Sequence, residues 1–138
     1  SGTEQIGFAD LLIDPGGLVR RGLLFLDDGA VMGNSLALRL AQHYLASENI
    51  VPVAGEPDPS HLRLGPVTFR PLEANDGAYV GADAAGYQFL LDYKGGPVPF
   101  QTFTLSDVLE KRVPAAALRD RIVLLGVSAD SVKDFFLT

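Results

Sequence analysis

Side chains that could carry out catalysis or bind a metal are scarce in this chain. Its 138 residues contain two histidines, His43 and His61, and no cysteine. A thiol nucleophile, a thiolate metal site and a disulfide framework are therefore excluded. A general base or a metal ligand needs partners at a defined spacing, and neither histidine has them in the sequence. We predict no metal site and no cofactor, and we expect both histidines at the surface or in packing contacts.

Two short patterns come close to catalytic or binding motifs without completing them. The stretch 81–86 has the two-glycine spacing of a phosphate-binding loop, but Tyr87 and Gln88 stand where lysine and serine or threonine are required. A flexible connection is the favoured interpretation. Ser35 lacks the second glycine of a nucleophile elbow, so it is better interpreted as a helix cap. The sequence therefore predicts that this chain is not itself an enzyme.

Two adjacent arginines form the first candidate ligand site. Arg20 and Arg21 lie on a predicted strand and should point to opposite faces of it. One of them could bind an anionic ligand, or it could form an ion pair with Asp10 across the predicted hairpin. We favour the ion pair and keep both arginines as candidate ligand-binding residues.

Three polar residues near the C-terminal end form the second candidate site. Ser128, Asp130 and Asp134 follow an apolar run that is predicted to be a strand. In open α/β sheets, ligands bind beyond the carboxyl ends of the strands, and these residues are placed accordingly. The alternative, which we favour, is that they bond to the neighbouring backbone and cap the loop.

Hydrophobic periodicity and turn residues predict the elements that must position these candidates. Asp14-Pro15-Gly16-Gly17 has the composition of a tight turn between two strands, which predicts an N-terminal hairpin. The run Ile122-Val123-Leu124-Leu125 is short and continuously apolar, as is typical of a strand buried on both faces. The predicted strands are 7–13, 18–26, 50–53, 62–64, 67–69, 87–93 and 122–125, and the predicted helices are 35–46, 105–111 and 114–118.

These elements predict an α/β fold, a mixed β-sheet with an N-terminal hairpin and two or more helices packed on it, in one domain over residues 1–138. A chain of this length can bury a core without metals or disulfides. Its net charge of −6 argues against binding to nucleic acid or to an anionic membrane surface. No stretch of 18 apolar residues and no signal peptide is visible. The apolar C-terminal residues indicate a chain cut from a longer protein.

The order of the segments along the chain is more informative than any single motif. The segments share a fixed order and together span nearly the whole chain. They are 7–10, 14–17, 19–22, 35–40, 86–93, 104–109, 119–127, 133–134 and 136–138. This series resembles the C-terminal portion of the second type of CHASE domain, the cyclase- and histidine-kinase-associated sensory extracellular domain. The N-terminal part that usually precedes segment 7–10 in that family is missing here.

The resemblance implies a sensory domain on the extracytoplasmic, periplasmic or extracellular side of the cell membrane. Membrane segments outside this fragment would connect it to a cytoplasmic output, with an adenylate or guanylate cyclase expected first and a histidine kinase or a Ser/Thr kinase as alternatives. The partners expected are a small-molecule ligand of unknown identity and a second copy of the chain. A passive dimerisation domain and a small enzyme using Asp130, Lys133 and Asp134 remain as alternatives.

Overall fold

The computed structural model describes residues 6–27, 32–93 and 100–127. They fall into two compact units, of which the first contains residues 6–27 and 32–91 and the second contains 92–93 and 100–127. The elements, in chain order, are β1 Leu12–Asp14, β2 Leu18–Asp27, β3 Met32–Asn34, α1 Leu36–Ala46, β4 Pro52–Ala54, β5 Leu62–Leu64, β6 Val67–Phe69, β7 Tyr87–Leu90, α2 Leu105–Leu109 and α3 Ala115–Leu118.

The long strand β2 is the centre of the main sheet. It pairs antiparallel with β1, β3 and β7, so it holds three other strands together. Arg21 pairs with Leu12 on β1 and with Leu90 on β7, which places its backbone between two neighbours. A second, smaller antiparallel sheet has the order β4-β5-β6. The predicted α/β class with an N-terminal hairpin is confirmed.

The turn of the hairpin has the predicted chemistry. Gly16 adopts a φ of 93°, which the third position of a type II turn requires and which residues with a Cβ rarely adopt. The amide of Gly17 donates to the carbonyl of Asp14 at 3.0 Å and closes the turn. The first strand is shorter than predicted, because Phe8 forms a parallel bridge to Ser35 instead of pairing within the hairpin.

Helix α1 begins at the predicted cap. The Ser35 hydroxyl accepts a hydrogen bond from the amide of Leu38 at 3.1 Å, which satisfies one of the free N–H groups of the first turn. Leu38 is buried and packs into the core of the first unit. Leu45 is partly buried and packs against the same core, so the helix meets it through Leu38 and Leu45.

An apolar core joins the two sheets of the first unit. The buried residues at its centre are Leu24, Leu38, Leu64 and Tyr87, and the partly buried residues packed against them are Phe25, Leu45, Leu62, Phe69 and Phe89. Tyr87 stacks on Phe25 at a centroid distance of 4.6 Å. Its hydroxyl accepts from the amide of Leu62 and donates to the carbonyl of Phe69, both at 2.8 Å. One tyrosine on the main sheet thus satisfies two backbone groups of the smaller sheet.

The second unit differs from the sequence prediction at its apolar run. Ile122-Val123-Leu124-Leu125 forms no strand, and Leu124 and Leu125 are 75% and 89% exposed. The predicted strand buried on both faces is therefore wrong for this structure. A strand needs neighbours to satisfy its N–H and C=O groups, and none of the described strands pairs with this run. Helix α2 begins with a capping box, in which the side chains and amides of Thr104 and Asp107 bond reciprocally.

Candidate functional site

Buried polar side chains converge on the face of the main sheet near the hairpin turn. Arg21 is 8% exposed, Asp14 is 3% exposed and Gln88 is 2% exposed. Charged groups are rarely buried to this extent unless they are paired and hydrogen-bonded. We call Asp14, Arg21, Tyr79 and Gln88, with the main-chain carbonyl of Asp83, the Arg21 cluster.

The guanidinium of Arg21 is the hub of this cluster. Its Nε and Nη2 donate to Oδ1 of Asp14 at 2.9 and 2.6 Å. Its Nη1 donates to Oε1 of Gln88 and to the carbonyl oxygen of Asp83, both at 2.9 Å. The planar fork of arginine can reach three acceptors from different elements at once, which a lysine ammonium on a flexible stem does not reproduce.

Tyr79 completes the environment of the carboxylate. Its hydroxyl donates to Oδ2 of Asp14 at 2.5 Å, so both oxygens of this carboxylate accept hydrogen bonds. The ring of Tyr79 lies over the Arg21 guanidinium at 5.0 Å from its centroid, within the range of a cation–π interaction. Arg20, whose side chain is 52% exposed, reaches the same carboxylate only at 3.5 Å.

Gln88 links the cluster to the segment that precedes β7. Its Nε2 donates to the carbonyls of Ala85 and Asp83 at 2.7 and 3.1 Å, while its Oε1 accepts from Arg21. A side-chain amide in a buried strand is acceptable because both of its polar atoms have partners. Gln88 therefore fixes the backbone of the preceding segment against Arg21.

These contacts shift the acidity of two groups. The hydrogen bond from Tyr79, followed by the bonds and charge of Arg21, lowers the pKa of Asp14 below its usual value. Burial, followed by the hydrogen bond to Asp14, raises the pKa of Tyr79. Both shifts favour an ionised Asp14 and a neutral Tyr79, which is the arrangement that the hydrogen bonds require. Neither shift makes Asp14 a better proton acceptor, so the cluster is suited to holding structure and not to acid–base catalysis.

The structure places the predicted site residues differently from one another. Arg20 is exposed and Arg21 is buried, but both guanidinium groups reach the carboxylate of Asp14, so the expected separation onto opposite faces is not seen at the ends of the side chains. The favoured ion-pair interpretation is right for Arg21, but the predicted partner Asp10 is wrong, because Asp14 is the residue that bonds to it. Asp10 is exposed.

The other predicted site residues, Ser128, Asp130 and Asp134, lie outside the residues that the structure describes. Their role as ligand-binding residues stays a prediction.

Sequence reasoning missed Tyr79 and Gln88. Gln88 stands inside the apolar stretch Tyr87–Leu90, and a polar residue there is a signal that its side chain must find buried partners. Tyr79 gives no comparable signal, because its contact with Asp14 joins residues 65 positions apart.

The described part of the chain contains no group of three or more histidines, aspartates and glutamates that could hold a metal ion. Among the same residues, no helix has both the length and the apolar character needed to cross a membrane.

The geometry defines a folded domain with a structural polar cluster, and the comparison with family models then identifies it. The model of the CHASE2 domain matches residues 1–138. The chain therefore belongs to the CHASE2 domain family, which consists of sensory extracellular domains of signalling proteins. No curated protein and no solved structure matches the chain significantly.

The roles of the two arginines can be separated by matched substitutions. We expect Arg21→Lys to lower the free energy of unfolding by about 2–4 kcal/mol, because lysine keeps the charge but leaves buried acceptors unpaired. Arg20→Lys, at the exposed neighbouring position, should change it by less than about 0.5 kcal/mol. Urea unfolding followed by circular dichroism measures both. Equal effects of the two substitutions would contradict the assignment of Arg21 as the hub.

The lowered pKa of Asp14 predicts an acid limb of stability. A carboxyl group whose pKa is lower in the folded state stabilises the fold above its ordinary pKa, and this contribution is lost as the pH falls through the folded value. We expect the urea midpoint to change little between about pH 7 and pH 5 and to fall below about pH 4. Asp58 and Asp76 shift in the same direction and add to this loss.

Asp14→Asn is the matched variant for the acid limb. It should have a lower urea midpoint than the parent chain at neutral pH, and it should lose less stability on acidification, because one of the titrating groups is gone. Parallel pH profiles for the two proteins would show that Asp14 does not contribute.

Proposed function

We propose that this chain is the sensory input domain of a membrane-bound signalling protein and lies on the extracytoplasmic side of the membrane. The match of the CHASE2 family model to the whole of residues 1–138 is the observation that carries this proposal.

The output is proposed to be an adenylate or guanylate cyclase in the cytoplasm, with a histidine kinase or a Ser/Thr kinase as the alternatives. A sensor changes such an output by binding its signal better in one of two conformations, which shifts the population between them. The signal is proposed to be a small molecule. Arg20, Ser128, Asp130 and Asp134 are the candidate ligand residues, whereas Arg21 is already neutralised by Asp14.

The absence of cysteine allows a direct test of location. Val80 is 93% exposed, so Val80→Cys in the full-length protein should react with a small membrane-impermeant maleimide in intact cells. Leu38→Cys, at a core position, should react only after denaturation, and the parent protein corrects for cysteines elsewhere. Labelling of Val80→Cys only after cell lysis would contradict the proposed location.

Assays of cyclic-nucleotide formation and of ATP-dependent phosphorylation on the same protein distinguish the proposed outputs.

A homodimer is the second part of the proposal. The second unit exposes several aliphatic side chains, among them Leu109 at 72%, Leu124 at 75% and Leu125 at 89%. Large exposed apolar patches mark interaction sites in soluble domains. Among the described strands, none pairs with the run that contains Leu124 and Leu125, which favours pairing with another chain.

Sedimentation velocity tests the proposed dimer over a wide range of protein concentration. We expect the parent chain to self-associate and Leu125→Asp to shift it toward the monomer, since a charge in an apolar interface is costly. Gln101→Asp adds the same charge at an exposed polar position of the same unit and should leave the association unchanged. A parent chain that stays monomeric at the highest concentration would exclude dimerisation through this domain alone.

A further inference from the structure

The segment between β6 and β7 has the architecture of an Ω-loop. Residues 70–86 contain neither helix nor strand, and long connections of this kind are uncommon and are either functional loops or disordered linkers. The amide of Leu72 donates to the carbonyl of Gln88 at 2.9 Å, which brings the two ends of the segment together. A second bond, from the amide of Ala82 to the carbonyl of Ala74 at 2.9 Å, closes it internally. We call residues 73–86 the Ω-loop.

The Ω-loop carries its own hydrogen bonds. Asp76 Oδ2 accepts from the amide of Glu73 at 2.9 Å and pairs with Arg70 at 2.8 Å. The Oδ1 of Asn75 accepts from the amide of Gly81 at 2.9 Å. The bonds of Asp76 with Glu73 and of Asn75 with Gly81 lie inside the Ω-loop, whereas the pair with Arg70 ties the loop to the residue that follows β6. The Ω-loop can therefore move as one body without losing its internal structure.

The attachment of the Ω-loop to the sheet is polar. Its neighbour Leu72 is buried at the base, but within the loop Val80 is 93% exposed. The bonds that fasten the loop run from the Tyr79 hydroxyl to Asp14, and from Arg21 and Gln88 to the carbonyl of Asp83. Near its two ends the loop is also bonded by Gln88 to the carbonyl of Ala85 and by Arg70 to Asp76. Regions with few buried apolar contacts open at a lower free energy than the core.

The base of the Ω-loop has a residue suited to act as a hinge. Gly86 adopts a φ of 75°, and a Cβ built there would lie 2.7 Å from Leu26 and 2.8 Å from Leu23. The position therefore requires glycine, whose backbone also tolerates the large φ and ψ changes of a hinge. Strand β7, which follows the Ω-loop, is held by its pairing with β2 and not by the loop.

We propose that the Ω-loop is a lid that opens as a unit by releasing Tyr79 and the Asp83 carbonyl from the Arg21 cluster, while both sheets stay folded. Opening uncovers Asp14, Arg21 and Gln88, which are otherwise almost fully buried. A signal would act by changing the position of this lid. This link to sensing rests on the proposed function, whereas the opening itself does not.

Amide hydrogen exchange followed by NMR on this chain tests the opening. The amides of Gly81 and Ala82 should exchange faster than those of Ser35 and Leu91, which bond to the carbonyls of Leu24 and Arg20 on β2. Tyr79→Phe should accelerate exchange in the Ω-loop by about 5- to 30-fold, because the hydrogen bond to Asp14 is lost on opening; the β2-bonded amides accelerate as well, because the same bond is lost on global unfolding.

Leu38→Ala is the reciprocal control, because it weakens the core without touching the lid. It should accelerate the β2-bonded amides and leave the Ω-loop amides nearly unchanged. The proposal is overturned if Leu38→Ala accelerates both groups equally, which would mean that the Ω-loop opens only when the core unfolds, or if Tyr79→Phe leaves the Ω-loop amides unchanged. If Tyr79→Phe fails to fold, amide exchange of the parent chain can be measured at low urea concentrations instead. Exchange rates that depend equally on urea in both groups of amides would exclude a separate opening of the lid.

The result is independent of where the protein resides. Exchange can show a separately opening lid even if maleimide labelling contradicts the extracytoplasmic location. In the reverse case, labelling can agree with the location while exchange shows no separate opening.

Discussion

The ion pair between Arg21 and Asp14 is the constraint on which the arrangement of the first unit depends. Burying a charge is costly unless it is paired and its remaining hydrogen-bonding groups are satisfied. Asp14 and Arg21 come from the two strands of the hairpin, but they alone cannot meet this condition. Tyr79, Gln88 and the Asp83 carbonyl complete it, so the hairpin turn, strand β7 and the Ω-loop must all be in place for the pair to be tolerated.

The two sheets are joined by a different kind of contact. Tyr87 contributes its ring to the apolar core and its hydroxyl to two backbone groups of the smaller sheet. Burial raises the pKa of this hydroxyl, so it stays neutral and can both donate and accept. The first unit thus combines an apolar core, whose contacts are not directional, with a polar cluster, whose hydrogen bonds require a specific geometry. The apolar part stabilises the sheets, and the polar part determines where the Ω-loop lies.

Features set by neighbouring residues could be predicted from the sequence. The helix that begins after Ser35, the turn at Gly16 and the capping box of Thr104 and Asp107 all follow from local chemistry. The partner of Arg21 could not be predicted, because a bulge between Leu12 and Ile13 shifts the hairpin register and the other members of the cluster are distant in sequence. The run 122–125 shows the same limit, since apolar character predicts a strand but only a neighbouring strand can form one.

The satisfied state of Gln88 has a consequence for how this position can change among related chains. Its oxygen accepts from Arg21 and its nitrogen donates to two carbonyls, so both polar atoms of the side-chain amide are hydrogen-bonded. Glutamate would keep the acceptor for Arg21 but would place a second carboxylate oxygen against the carbonyl oxygens of Asp83 and Ala85. Leucine would leave a buried N–H group of the guanidinium without its acceptor. Divergence at this site is therefore expected to proceed by joint replacement of the arginine, its carboxylate and the glutamine, so that the three are inherited together or exchanged together.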